Sequence, residues 1–333
     1  MLEIRKIKGD KLYLALVLVD EKKLELYSYK KDNLISLEDF LIGYKTSYFQ
    51  DDNNKIIKVK VDENPKLFFD NAEKILLKYN VYEQNYLTTN DYKELKESNK
   101  INILSIGDIH GRPVWEDIDV KKYDKIIFTG DYLDIYDEKG ITEETALDNF
   151  KNIIDFGKSN RKKVRFLLGN HDIHYIFYKT KYFEQIYAGR LQLENIDEIV
   201  KLYKKNLHLF SVAYQKGDYL FTHAGLTNSI YNEYFSDIPK RELGSKLNIR
   251  FFSFNEDALK PFLLIGKYRG GKNECGSLFW ADKTETETDY LDDIHQIVGH
   301  SKVKKITTIG DKTSSITYID CLEFKKEFYE KKI

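Results

Sequence analysis

Five short stretches of this chain hold the residue types that ligate metal ions: Gly107-Asp108-Ile109-His110-Gly111, Gly130-Asp131-Tyr132-Leu133-Asp134, Gly169-Asn170-His171-Asp172, Phe221-Thr222-His223-Ala224-Gly225 and Val298-Gly299-His300-Ser301. Asp108 and His110 lie two apart, so in an extended segment their side chains point the same way. A carboxylate and an imidazole so placed suit Mn, Fe or Zn better than Ca or Mg. Asp131 ends an apolar run just as Asp108 does, so it reaches the same space and could bridge two metals. The side-chain carbonyl of Asn170 can bind metal, with His171 beside it pointing elsewhere. Taken singly, each has a plainer use: an Asp after a strand commonly caps a helix, and a lone His is commonly a hydrogen-bonded structural residue. What overturns the plainer reading is the coincidence of five such sites, each ending an apolar strand and each flanked by glycine.

The elements that must position them are legible as short apolar runs at 101–106, 125–129, 164–168 and 219–222, each stopping at a motif. Between them, 149–156 and its neighbours read as helices. Strands alternating with helices predict a sheet covered by helices on both faces, and ligands of such sheets sit at the carboxyl ends of the strands. Residues 1–98 differ. A β-prone run at 12–19, a turn at 20–23 and alternation at 24–29 predict a hairpin. A further strand is expected at 56–61, a helix at 66–79 and a polar joint at 93–100. No chemical motif occurs there, so 1–98 is expected to be an accessory domain and 99–333 the catalytic one. The Thr-Glu alternation at 284–288 reads as a solvated loop.

The chain has 333 residues, 42% hydrophobic and 32% charged, with a net charge of -1. That balance gives no global reason to expect nucleic acid or an anionic membrane as partner. No apolar window reaches bilayer length, and the N-terminus lacks the apolar core of a signal peptide. Cys275 and Cys321 are the two cysteines, far apart, which argues against a disulfide framework or a thiolate zinc site. A cytoplasmic location is the expectation.

As an ordered set, Gly-Asp-x-His-Gly, Gly-Asp-x-x-Asp, Gly-Asn-His-Asp, His-Ala-Gly and Gly-His resembles the calcineurin-like metallophosphoesterases. The branch most similar contains the phosphoprotein phosphatases and the diadenosine tetraphosphatases. The resemblance runs over about 101–320. It implies an α/β fold of the metallophosphoesterase type, a β-sandwich flanked by helices (αββα), here preceded by a small α+β domain. It implies two divalent ions, Mn first and Fe or Zn as alternatives. One would be held by Asp108, His110 and the bridging Asp131, the other by Asp131, Asn170, His223 and His300. Many members carry another histidine two residues after the last one, where this chain has Lys302. By the same resemblance His171 protonates the leaving alcohol, oriented by Asp134. Such protonation contributes on the order of 10²–10⁴ in rate.

The pattern departs again at the phosphate grip. Phosphoprotein phosphatases follow the second motif with Arg-Gly and place an Arg two residues before the third motif's Asn, and both arginines hold phosphate. Here those positions are Ile135-Tyr136 and Leu168. Phosphate still calls for a guanidinium fork, which leaves Arg112, Arg190 and Arg269 as candidates against the bland alternative of surface salt bridges. Tyr132, Tyr136, Tyr175 and Tyr178 could stack a nucleotide or simply fill core and rim. The segment 230–272 is long enough to be a cap over the pocket. The expected substrate is phosphorylated: a phosphoprotein, a nucleotide, a dinucleoside polyphosphate or another small phosphoester. Two other classes, a metal-binding scaffold without catalysis and a single-strand nuclease, fit less well. The six implied ligands and the His171–Asp134 pair are all present, and the net charge gives a basic groove little support while leaving room for a local one.

Overall fold

The computed structural model describes residues 100–187 and 189–333, together with six strands within residues 5–60. It divides into two units, Met1–Lys100 and Ile101–Ile333. In the first, Arg5–Lys6, Leu12–Asp20, Lys23–Lys30 and Asn33–Ser36 form an antiparallel sheet in that order, and Thr46–Gln50 pairs with Ile56–Lys60. The hairpin expected at 12–29 is the pairing of its two long strands. The helix expected over 66–79 and the joint at 93–100, apart from Lys100, lie outside the described residues.

The second unit is built from two five-stranded sheets. The first contains β1 (Asn102–Ile106), β2 (Lys125–Phe128), β3 (Val164–Leu167), β4 (Phe210–Ser211) and β10 (Tyr329–Lys332), in the order β4-β3-β2-β1-β10. Its first four strands are parallel and β10 closes the edge antiparallel to β1. The second contains β5 (Ala213–Lys216), β6 (Tyr219–Thr222), β7 (His295–Val298), β8 (Thr307–Gly310) and β9 (Ser315–Tyr318), in the order β5-β6-β7-β9-β8. Here β6, β7 and β9 are parallel. Parallel strands buried on both faces read as near-continuous apolar runs, and Ile126, Ile127 and Phe128 of β2 are each fully buried.

Alternation along the strands sorts these residues between two layers. Ile103, Ile127 and Leu167 face the other sheet, where they meet Phe221, Ile297 and Ile319. Leu104, Phe128 and Phe166 face outward, onto Phe150 and Ile153 of helix α1 (Glu143–Ser159) and Ile199 and Tyr203 of helix α3 (Ile196–Asn206). Helix α1 starts where Thr142 caps it, its hydroxyl accepting from the Thr145 N–H at 3.2 Å. That bond satisfies one of the orphan donors of the first turn. Helices therefore cover only the outer face of each sheet, and the inner faces pack on each other. The result is the αββα sandwich.

Segment 230–272 makes the outer layer of the second sheet. Helix α4 (Leu243–Phe252) buries Leu243, Leu247 and Phe251. Asn248 ties it to the sheet, accepting from the Val212 N–H at 2.6 Å and donating to the Ala213 carbonyl at 2.8 Å. The expected loop at 284–288 is instead helical. Helix α5 (Lys283–Asp289) is capped by Asp282 and buries Glu285 and Thr286. The alternation is real but of the wrong length to mean anything, because Asp282 with Glu285 three residues on is a capping box that starts a helix.

Candidate metal centre

The ends of β1, β2, β6 and β7, together with the start of helix α2 (Asn170–Ile176), bring Asp108, His110, Asp131, Asn170, His223 and His300 to one place. Potential ligand atoms of Asp108, His110 and Asp131 lie within 4.8 Å of one another, as do those of Asp131, His223 and His300. Asp131 is common to both groups. The carbonyl oxygen of Asn170 lies 2.9 Å from His223 Nε2 and 2.9 Å from His300 Nδ1. All six are nearly inaccessible to solvent.

The convergence of Asp108 and His110 is made by a turn, not by strand alternation as expected. His110 has φ 43°, and Asp131, Asp134 and His300 have φ of 53°, 55° and 61°. The left-handed region is uncommon outside glycine and marks sites where surrounding structure dictates the backbone. Two glycines let the carboxylates in close. A Cβ at Gly169 would stand 2.1 Å from Asp131 Oδ1, and one at Gly299 would stand 2.1 Å from Asp108 Oδ1.

Hydrogen bonds behind these side chains fix their orientation. His110 Nδ1 lies 3.0 Å from each of the Leu133 and Asp134 carbonyl oxygens. A carbonyl only accepts, so Nδ1 carries the proton and Nε2 presents a lone pair towards Asp131, 3.6 Å away. His223 is set likewise, its Nδ1 donating to the Thr129 carbonyl at 2.8 Å. Asp108 accepts the His300 backbone N–H at 2.9–3.0 Å, and Asp131 Oδ1 accepts that of His171 at 2.9 Å.

The donor set fits divalent cations. Burial holds the carboxyls of Asp108 and Asp131 well above the usual range, and for Asp131 the neighbouring Asp108 adds to it. A cation shared between them removes that penalty. Burial also lowers His110 and His300 well below their usual value and brings His223 down to about 3. The imidazoles are therefore neutral near pH 7, the form that binds metal. His300 Nε2 is buried without a hydrogen-bond partner.

Beside this floor, a cavity of about 190 Å³ is lined by Asp108, Asp131, Asn170, His171 and His300 and by Tyr136, Arg190, Arg269 and Trp280. His171 Nδ1 lies 2.8 Å from Asp134 Oδ2, which leaves Nε2 on the side of Arg190 Nη2, 3.4 Å away. The hydrogen bonds to His171 and His174 hold the Asp134 carboxyl below its usual range against burial, which raises it.

The three arginines separate clearly. Arg190 and Arg269 line the cavity. Arg269 is steadied by Asp282 at 2.7 Å and by Ser301 Oγ at 2.9 Å. Arg112 is buried away from it, its guanidinium committed to Glu138 and to the Asp108 and Ile109 carbonyls. The resemblance could not distinguish them, because only tertiary pairing does.

Three residues hold places that sequence reasoning did not give them. Asp172 is fully buried and accepts from the backbone N–H groups of Gly169, Asp131 and Tyr132 at 2.6–3.1 Å and from Tyr203 Oη at 2.6 Å. It clamps the second motif to the third, and its place next to His171 was the available signal. Tyr136 carries Arg190 Cζ 3.9 Å and Lys302 Nζ 3.4 Å from its ring centroid. It is a platform for cations, not an open surface for a base. Trp280 had no signal beyond its size.

No curated protein sequence matches the chain significantly. Among solved structures, a point mutant of a cold-active protein tyrosine phosphatase is 14% identical, covering 95% of this chain and 91% of that one at a TM-score of 0.43. A protein serine/threonine phosphatase from Saccharomyces cerevisiae is 12% identical, with 67% and 68% covered and a TM-score of 0.40. A metallophosphoesterase from Sphaerobacter thermophilus is 17% identical, with 38% and 48% covered and a TM-score of 0.22. At those scores the likenesses decide nothing. Sequence does: residues 101–304, more than half of the chain, match the family model for calcineurin-like phosphoesterases, and the chain belongs to that family of metal-dependent phosphoester hydrolases.

Proposed function

We propose that the chain is a phosphatase working through a dinuclear centre at this cavity, with one ion on Asp108, His110 and Asp131 and the other on Asp131, Asn170, His223 and His300. The observation that carries the reading is the sharing of Asp131 between two ligand groups, each within 4.8 Å. Mn is the first choice of metal, Fe or Zn the next, since mixed imidazole and carboxylate donors suit all three. When bound, such ions supply Lewis acidity towards water and towards the phosphoryl oxygens.

The chain's own residues then divide the remaining work. Arg190 and Arg269 reach the cavity from opposite sides of the sequence and hold the phosphate oxygens by charge-assisted hydrogen bonds. His171, its Nδ1 set by Asp134, presents Nε2 to the ester oxygen and gives up a proton as the alkoxide leaves. The left-handed backbone at His110 and Asp131 keeps their side chains on the floor before any substrate arrives. The cavity places Arg190 and Arg269 beside Asp108, Asp131 and His171, a lining that suits a phosphoryl group.

Turnover of p-nitrophenyl phosphate in Mn²⁺, compared with its bis ester and with an EDTA-treated sample, tests this. Metal-dependent hydrolysis of the monoester is expected; no turnover of either ester, with no metal retained, sinks it. A second reading, a nucleotide or dinucleoside polyphosphate as substrate, draws on the two cations stacked on Tyr136, which would suit a further phosphate group. Phosphate release from a dinucleoside tetraphosphate set against a phosphopeptide chooses between them.

A further inference from the structure

Arg190 is the cavity cation with the least visible support. Arg269 has Asp282 beside it, whereas Arg190 pairs with no carboxylate among the described residues. Its guanidinium lies on the ring of Tyr136, with Nη1 3.4 Å from the Ile135 carbonyl and Nη2 3.4 Å from His171 Nε2. The two polar contacts are long, and the close one is the stack on Tyr136. A flexible side chain held only by them would lose much of its binding strength to disorder, so the backbone that carries it matters more than usual.

That backbone is tied down two residues later. The Gln192 N–H donates to Tyr175 Oη at 3.0 Å, and the Tyr175 hydroxyl in turn donates to Asp134 Oδ1. The other oxygen of the same carboxylate takes the His171 Nδ1 proton at 2.8 Å. Tyr175 lies four residues after His171 in helix α2, on the same face. It is fully buried, its ring stacked on Tyr203 with centroids 6.0 Å apart. One carboxylate thus orients the group next to the leaving oxygen and, through a single phenol, the loop that brings the guanidinium.

We infer that Tyr175 is a positioning residue whose hydroxyl registers Arg190 against His171 by hooking the 189–192 backbone to Asp134. This rests on the proposed reading of the cavity as a phosphoester site. It makes the phosphate grip and the proton donor one connected unit, so loosening the hydroxyl loosens the grip while the metal floor stays intact.

The test is a double-mutant cycle on the metal-loaded enzyme, using p-nitrophenyl phosphate as substrate and inorganic phosphate as competitive inhibitor. Tyr175→Phe removes the hydroxyl and keeps the ring. Loss of one buried hydrogen bond in a connected network is expected to raise KM and the phosphate Ki by about tenfold. Because nitrophenolate leaves with little help from an acid, kcat should change much less. Arg190→Ala should raise the same constants more, and adding Tyr175→Phe to it should change nothing further, since a residue acting through Arg190 has nothing left to position. Metal content should be the same in all four proteins.

Losses that multiply in the double variant, or an unchanged KM in Tyr175→Phe, overturn the inference. If Tyr175→Phe fails to fold, Gln192→Pro removes the N–H from the other side and is judged by the same criteria. Wild-type protein that hydrolyses nothing overturns the parent reading instead. Active wild type with an unaltered KM in Arg190→Ala overturns the inference and leaves the metal chemistry standing.

Discussion

The floor of the cavity and its rim are made in different ways. Each floor residue, Asp108, His110, Asp131, Asn170, His223 and His300, sits within four residues of a strand's carboxyl end or at the start of a helix. Each is buried, and most are fixed by backbone hydrogen bonds from a neighbouring motif. The rim residues Arg190, Tyr136 and Lys302 come from loops and Arg269 from a single helical turn, and they are held by stacking and by pairs such as Arg269 with Asp282. The floor is therefore rigid and suited to a demanding ligand, while the rim is adjustable and suited to deciding what enters. Substitutions should split the same way, floor changes costing metal and rim changes costing affinity.

The largest effect is expected on the floor. Asp131→Ala removes a ligand from both groups at once, and metal electrostatics worth several kcal/mol translate to a loss of about 10³-fold or more in kcat. Metal analysis of the purified variant should show depletion; a variant that keeps both metal and rate breaks the comparison. Next comes His171→Ala, which should cost about 10²–10⁴ in kcat on an alkyl phosphate with metal retained. The loss should grow from p-nitrophenyl phosphate to an alkyl phosphate, because the poorer leaving group depends more on the proton. Equal losses on both substrates would argue against the acid role.

The rim follows. Arg190→Ala should raise KM by about ten- to a hundredfold, as expected for a charge-assisted hydrogen bond. Arg112→Ala should leave KM alone and instead destabilise the fold by about 1–3 kcal/mol, since its guanidinium serves Glu138 and two carbonyls. Steady-state kinetics alongside thermal melts separates the two arginines. Identical behaviour would erase the line drawn between them.

The smallest effect is on pH. A carboxyl raised by burial, as in Asp108 and Asp131, costs the metal-free fold stability once pH climbs above the unfolded value of about 3.9. The lowered histidines work oppositely, costing stability as pH falls below about 6.5. Metal binding relieves the carboxylate cost and competes with protons for every ligand. Saturating Mn²⁺ should therefore raise Tm more at pH 7.5 than at pH 5.5. At a hundredfold excess over Kd the gain is about 2.7 kcal/mol. An increment that is larger in acid contradicts the assignment of these residues as ligands.

The floor was legible in the sequence for a physical reason. Strands ending at a site impose apolar runs, and tight approach imposes glycine, so Asp108, Asp131 and His300 each come with a local signature. Asp134 and His171 were legible only through resemblance, and the bond between them at 2.8 Å spans 37 positions that no periodicity links. The rim left no signature. Nothing local distinguishes Arg190 from Arg112, because what separates them is Glu138 on one side and Tyr136 on the other. The same holds for segment 230–272, whose length suggested a cap. Its buried face packs on the second sheet, and among its arginines it is Arg269 that lines the cavity. Helix α5 was missed because a capping signal was hidden inside a polar alternation.

The most direct test of the central claim is anomalous diffraction from crystals of the full chain soaked in Mn²⁺. Two peaks are expected, one on each side of the Asp131 carboxylate, the first beside Asp108 and His110 and the second beside Asn170, His223 and His300. A single peak away from Asp131, or none at saturating Mn²⁺, would contradict the account.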